Sequence, residues 1–108
     1  MASSYEYLQY VLDQLALLED VSWRKMMGEY IIYYRDKVLG GIYDNRFLVK
    51  ITPASQSMLA ECERAVPYEG AKEMLMIENI ENRDFLQQLV TAMYDQLPDN
   101  RKRKPGKA

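Results

Sequence analysis

The sequence contains no histidine and a single cysteine, Cys62, among its 108 residues. Without histidine, Ser-His-Asp and Cys-His nucleophile systems and histidine-ligated zinc or iron sites are excluded. One cysteine cannot form an internal disulfide or a four-cysteine metal site. The phosphate-binding patterns GxxxxGK[ST] and GxGxxG are also absent. The sequence therefore predicts no cofactor and no metal, and it leaves carboxylates, lysines, tyrosines and one thiol as chemical groups.

Long apolar runs are missing as well, since none approaches the roughly 18–20 residues that a membrane span requires. The first ten residues, MASSYEYLQY, lack the basic and apolar regions of a secretory signal. The hydrophobic share of 48% and the charged share of 28% are ordinary for a globular domain. With its one cysteine, the chain is predicted to be a cytoplasmic protein without a membrane partner.

Charge is unevenly distributed along the chain. Residues 1–98 contain 9 Lys or Arg and 15 Asp or Glu, a net charge of −6, whereas residues 99–108 contain five and one, a net charge of +4. The last ten residues also contain Pro and Gly and no large apolar residue, which is typical of disorder. We therefore expect one domain over residues 1–98 and a disordered basic tail over residues 99–108.

The first half of the chain reads as a helix followed by strands. Ser3 and Glu6 match a capping box, and leucines and Val11 follow at helical spacing up to Leu18. Residues 22–34 then predict one long strand bent at Gly28. Residues 38–43 and 47–52 predict two further strands, joined by a hairpin turn at Asp44-Asn45-Arg46. Such short connections require antiparallel pairing.

Two features of these strands carry further structural information, namely a pair of glycines and an alternating apolar pattern. Gly40-Gly41 inside a strand indicates either a helix packed close to the sheet or a bulge. In the strand that follows, Phe47, Val49 and Ile51 share one face, which we expect to be core, while Leu48 and Lys50 share the other.

The second half alternates between helix and strand. Thr52-Pro53 predicts the start of a short helix that ends near Glu63. The apolar run at 73–78 has the length of a strand, although its pattern also allows a helix, and a short additional strand is expected near Tyr68. Asn82 predicts the cap of a last helix, which Pro98 ends. The expected class is therefore α+β, with two layers and an antiparallel sheet covered by helices on one face.

The stretch from Arg24 to Tyr33, RKMMGEYIIY, resembles the R-K-M-F-G-G-Y-G-[IL]-Y-like motif of the TfoX N-terminal domain family, also called TfoX/Sxy. Residues 41–51, GIYDNRFLVKI, are similar to the family's next segment. The resemblance covers about residues 3–97. It implies an α-β(3)-α-β(2)-α fold related to secretion-chaperone-like domains, and a bacterial protein connected with competence and transcription regulation, because longer family members regulate competence genes. Met27, Glu29 and Ile31 depart from the motif.

Candidate partner residues lie in and near the strands. Adjacent strand residues point to opposite faces, so Arg24 and Lys25 do not form one patch by themselves. In EMLMIE both faces are apolar, so either Met74 and Met76 or Leu75 and Ile77 lie on an uncovered face. The candidate partner surface comprises Arg24, Lys25, Tyr30, Tyr34, Met74 and Met76.

The tail is the candidate for nucleic-acid binding, through Arg101, Lys102, Arg103, Lys104 and Lys107. Five cations release about four counterions from duplex DNA, which supports weak binding without sequence preference. The opposing interpretation is a solubilising tail.

The sequence thus favours a non-catalytic protein-interaction domain. The partner is predicted to be another protein, and a homodimer is an open alternative. A nucleic-acid-associated regulator that uses the basic tail is the second hypothesis. A carboxylate- or tyrosine-based enzyme is the third, and a cleft with two close carboxylates would support it.

Overall fold

The computed structural model describes residues 3–78 and 80–98 of the chain. These residues form three helices and six strands in the order α1 (Tyr5–Gln14), β1 (Val21–Met26), β2 (Glu29–Tyr34), β3 (Lys37–Ile42), β4 (Phe47–Val49), α2 (Pro53–Met58), β5 (Arg64–Ala65), β6 (Met74–Met76) and α3 (Arg83–Tyr94). The six strands form one antiparallel sheet in the order β1-β2-β3-β4-β6-β5.

Apolar side chains on one face of the sheet pack against the helices and form the main core. Phe47 and Val49 of β4 belong to it, as predicted, together with Leu8 and Val11 of α1 and a buried stripe on α3. The opposite face, which we call the open face, carries a smaller cluster formed by Tyr43, Leu48 and Met74. The predicted α+β class, with helices on one face of an antiparallel sheet, is confirmed.

The expected long strand over residues 22–34 is instead a β-hairpin. Strands β1 and β2 pair in antiparallel register, from Val21 opposite Tyr34 to Met26 opposite Glu29. Met27 and Gly28 form the turn between them. Both turn residues have positive φ, 55° for Met27 and 86° for Gly28, as a two-residue type I′ turn requires. Gly28 is thus a turn residue and not a bend, and the sheet has one strand more than the sequence predicted.

Gly40 and Gly41 mark a bulge, which was one of the two predicted explanations. Ile32 pairs with Gly40, but Tyr33 pairs with Val38, so Leu39 is the extra residue in β3. A side chain on Gly40 would collide with the Leu48 carbonyl oxygen in β4. The close approach of strand to strand, and not of a helix, therefore requires glycine here.

The caps of the three helices follow the sequence with one correction. Ser4, and not Ser3, caps α1, because its Oγ accepts a hydrogen bond from the Tyr7 N–H at 3.1 Å. Thr52 forms a capping box with Ser55, and Asn82 caps α3 by accepting from the Phe85 N–H, both at predicted positions.

Ser3 has a different role from the predicted cap. Its buried hydroxyl donates a 2.6 Å hydrogen bond to Glu29 and accepts one from the Asn45 N–H. These contacts hold the start of the chain against the β1–β2 and β3–β4 turns.

Two boundaries in the second half differ from the prediction. Helix α2 ends at Met58, well before Glu63, and the additional short strand lies at Arg64–Ala65 and not at Tyr68. β5 pairs with β6, so it extends the sheet at the far edge from β1. The predicted disordered tail, residues 99–108, lies outside the described residues.

Candidate functional site: the open face of the sheet

Alternation along β2 decides which of its tyrosines reach a partner. Tyr30, Ile32 and Tyr34 point toward the helices, and both tyrosines are buried in the main core, at 4% and 7% exposure. Tyr30 and Tyr34, which the sequence analysis included in the candidate partner surface, therefore lie beneath the helix layer. The half-buried residues Ile31 and Tyr33 alternate with them and so lie on the open face.

The structure shows which apolar residues of β6 lie on the face that the helices leave uncovered. Leu75 and Ile77 join the main core, whereas Met74 joins the open-face cluster and Met76 packs against that cluster. Leu48, which pairs with Met76, lies on the same side. Of the predicted partner residues in this strand, Met74 is largely covered by its neighbours and Met76 is partly exposed.

A cleft of about 570 Å³ lies over this face, between the sheet and the loop of residues 66–73, and we call it the open-face cleft. That volume falls in the range of roughly 300–1,000 Å³ in which proteins hold ligands. Its lining is mainly apolar and comes from four strands, from the residues that follow β3 and β4, and from the loop: Met26, Ile31, Val38, Gly40, Tyr43, Lys50, Ile51, Pro67, Tyr68, Gly70, Ala71, Lys72, Glu73 and Met74. The cleft therefore combines an apolar surface with two lysines.

Tyr43 shapes the cleft because its ring lies across Gly41. A Cβ on Gly41 would lie 2.7 Å from Tyr43 Cε2 and 2.5 Å from the Tyr30 carbonyl oxygen, so only glycine permits this position of the ring. The ring of Tyr68 packs beside it with centroids 6.1 Å apart. Tyr68 is 58% exposed and Tyr43 only 8%, so Tyr68 is the accessible aromatic residue of the pair.

The electrostatic environment of Tyr43 reflects this packing. Burial raises the pKa of the Tyr43 hydroxyl above its ordinary value, and the nearby Tyr68, Glu29 and Tyr33 raise the pKa further. The hydroxyl therefore stays protonated at neutral pH.

Arg24 and Lys25 lie on β1, at the edge of the sheet, and both are exposed. Arg24 pairs with Ile31 and so lies on the open face, while Lys25 pairs with Tyr30 and lies on the helix-covered face. The two cations point to opposite faces, as predicted, and only Arg24 is on the same side as the cleft.

Charge is divided between the two layers of the domain. The segments that contain the helices, residues 5–20, 53–63 and 78–98, hold ten acidic residues and one basic residue, a net charge of −9. Residues 21–52, which form β1 to β4, hold six basic and three acidic residues, a net charge of +3. The sheet layer is thus positive although the domain is negative.

The charged residues at the cleft follow this division. Lys50 and Lys72 line it, and Glu73 is the one carboxylate among the described lining residues. Glu73 lies 3.7 Å from the Arg64 guanidinium, an exposed ion pair that offsets its charge. Among the described lining residues, the basic side chains therefore outnumber the acidic ones by two to one.

A second cleft, of about 550 Å³, is polar and lies at the end of β2 beside Asp20, Arg35 and Tyr94. The Arg35 guanidinium lies 5.3 Å from the Tyr34 ring centroid and 3.9 Å from the Asp20 carboxylate. Lys37 donates a 2.8 Å hydrogen bond to the Tyr94 carbonyl oxygen at the end of α3. These cations hold the helix layer to the sheet.

Within residues 3–78 and 80–98, no group of three or more Cys, Asp and Glu residues is arranged to hold a metal ion. In that same part of the chain, no helix has both the length and the apolar character to cross a membrane. Cys62 is half-buried and packs against the main core.

The sequence pointed to Met74, Met76 and Arg24, of which only Met74 lines the cleft, and it missed Tyr68, Lys50 and Lys72 as lining residues. Leu48 and Lys50 were predicted to share one face of the same strand, so the side of the sheet on which Lys50 lies was predictable. The position of Tyr68 and Lys72 depends on how the loop of residues 66–73 folds over the sheet, which no local pattern encodes. The tail cations from Arg101 to Lys107 lie outside the described residues.

Comparison with known proteins agrees with this architecture. An "Uncharacterized 12.7 kDa protein in trpE 5′ region" of Spirochaeta aurantia is 33% identical over 105 residues, which cover 96% of this chain and 91% of that protein. No solved structure matches the chain. The TfoX N-terminal domain matches residues 13–97, which include every strand of the sheet and the whole of α3. The chain therefore belongs to the TfoX N-terminal domain family.

Proposed function

We propose that the chain is a non-catalytic regulatory domain that acts in the bacterial cytoplasm by binding another protein through the open-face cleft. The observation that carries the proposal is the apolar cluster of Tyr43, Leu48 and Met74 on the face that the helices leave uncovered. Membership of the TfoX N-terminal domain family supports a regulatory role, including a role in competence and transcription.

The composition of the cleft supports binding of a protein chain. Met26, Ile31 and Val38 offer aliphatic contacts, and Tyr68 offers an exposed aromatic ring with a polar end. Aromatic residues and methionine are enriched where proteins bind one another. Burial of these side chains beneath a partner would supply the main driving force for association.

Site-specific photo-crosslinking in bacterial cells tests this proposal. p-Benzoylphenylalanine replaces Tyr68 in one variant and Tyr10, an exposed tyrosine on α1, in the matched control. We expect a discrete crosslinked protein from position 68 that is absent from position 10. Equal products from both positions, or none from position 68, would contradict binding at the open face.

The crosslinked product also separates the alternative assemblies. A second copy of the chain as the main product would identify a homodimer. A product that disappears after nuclease treatment would favour the nucleic-acid-associated regulator and would contradict a protein partner.

A further inference from the structure

The open-face cleft differs from the rest of the domain in both charge and apolarity. Lys50 and Lys72 line an apolar surface, and Arg24 lies on the same face of the sheet. The helix-containing segments have a net charge of −9. An interaction domain presents complementary charge to its partner, since this accelerates association and rejects wrong partners.

We propose that the open-face cleft binds an acidic, amphipathic segment of a partner protein. Apolar side chains of that segment pack on Met26, Ile31 and Met74, and its carboxylates lie near the ammonium groups of Lys50 and Lys72. This inference rests on the proposed function and specifies the class of partner that the cleft accepts.

The charge pattern argues against a symmetric dimer through this face. A two-fold interface brings the same patch of both subunits together, so a patch with more basic than acidic lining residues would face a copy with the same excess. Like charges opposed across an interface cost free energy. A partner with the opposite charge avoids this cost.

The aromatic geometry argues against single-stranded nucleic acid as the occupant. Binding of bases needs successive exposed aromatic faces along a positive groove. In this cleft the Tyr43 ring is 8% exposed and is covered by Gly41 below it and Tyr68 beside it. The remaining floor is aliphatic, which suits the side chains of leucine, isoleucine or methionine.

A random library of 12-residue peptides displayed on phage, panned on the full chain, tests the inference. We expect enrichment of peptides that combine a net negative charge with several large apolar residues. The charge reversal Lys72→Glu lowers their affinity at least about tenfold, because it places an acid beside their carboxylates. Lys25→Glu makes the same charge change on an exposed residue of the helix-covered face and leaves the affinity unchanged.

Equal unfolding midpoints of the two variants show that the difference comes from binding. Enrichment of neutral or basic peptides, or no enrichment, overturns the acidic-segment inference. Tighter binding of the oligonucleotide dT12 than of any selected peptide also overturns it.

Oligomerisation of the full chain that Lys72→Glu abolishes would overturn the inference and identify a second copy of the chain as the occupant. A partner crosslinked at position 68 whose contact segment is not acidic would leave the proposed function standing and remove only this inference.

Discussion

Phe47 and Leu48 are neighbours in β4 and both are fully buried, yet their surroundings differ. Phe47 belongs to the main core, which takes side chains from the sheet and from the helix layer. Leu48 packs with Tyr43 and Met74 beneath a cleft that is open to solvent. Buried side chains therefore have two positions in this domain. On one face they join the sheet to the helices, and on the other they lie directly beneath a solvent-accessible cleft.

This contrast extends to charge. The helix layer is strongly acidic and lies on the outside of the covered face, while the sheet layer is basic. A domain of this size needs one core to fold. The open face carries a second, smaller apolar cluster, and it is this face that the proposed function uses for binding.

The largest expected effect is a difference in unfolding free energy between a truncation on the helix-covered face and one on the open face. Phe47→Ala should lower the free energy of unfolding by about 3–5 kcal/mol, because it leaves a cavity where both layers meet. Leu48→Ala should cost about 2 kcal/mol, near the lower end for leucine, because side chains bordering the cleft can move into the space. Urea unfolding followed by circular dichroism measures both changes.

The two variants also differ in what they do to binding. At temperatures where both remain folded, Leu48→Ala should reduce crosslinking at position 68 and Phe47→Ala should not. If Leu48→Ala cost as much stability as Phe47→Ala, the open-face cluster would be a second core and the contrast between the faces would fail.

The next effect concerns Gly41, on which the position of Tyr43 depends. Gly41→Ala should cost about 3 kcal/mol, near the top of the range for overpacking, since its methyl group would meet both the Tyr43 ring and the Tyr30 carbonyl oxygen. It should also displace the Tyr43 ring and weaken binding of any ligand of the cleft. Thermal unfolding and affinity for the selected peptides measure these two effects.

Gly70→Ala provides the matched control at the other side of the cleft. Gly70 has a φ of 89° with open space around it, so a methyl group adds backbone strain of about 1 kcal/mol without a collision. Its peptide affinity should fall less than that of Gly41→Ala, because the added methyl group does not touch the Tyr43 ring. Equal losses of affinity in both variants would show that the position of Tyr43 does not shape the cleft.

Much of the fold was predictable because local chemistry and the global fold agree in most elements. The Thr52-Pro53 and Asn82 caps, the turn at Asp44-Asn45 and the face assignment of Phe47 and Val49 all follow from short-range patterns. The β1–β2 hairpin was missed for a physical reason. Its turn places Met27, which is 95% exposed, at positive φ where asparagine, aspartate or glycine is usual.

The site was less predictable than the fold. The unpredicted turn at Met27-Gly28 leaves the alternation within β2 unchanged, but the side of the strand that faces the helices depends on tertiary packing. The sequence therefore could not show that Tyr30 and Tyr34 are core while Ile31 and Tyr33 lie on the open face. The pairing of Tyr43 with Tyr68 depends on a loop fold that sequence spacing does not encode.

The smallest expected effect is a difference between the two faces in how the free energy of unfolding depends on alkaline pH. Burial raises the pKa of Tyr43 above the unfolded value of 10.0, so the unfolded chain loses this proton first as pH rises. The stability that the neutral hydroxyl supports is complete below pH 10 and is lost as pH rises through the folded pKa. Tyr43→Phe should therefore flatten the fall in stability above pH 10, as measured by urea midpoints from pH 8 to 11.

Tyr7, whose pKa is raised by burial and then by Tyr10, offers the comparison from the helix layer. Tyr7→Phe should flatten the same alkaline fall, but its effect should not change when a peptide occupies the cleft. For Tyr43 the occupied cleft excludes more water from the hydroxyl, so the bound peptide should increase the difference between wild type and Tyr43→Phe. If the peptide changed both differences equally, its binding would not be confined to the open face, and the separation of a folding face from a binding face would be wrong.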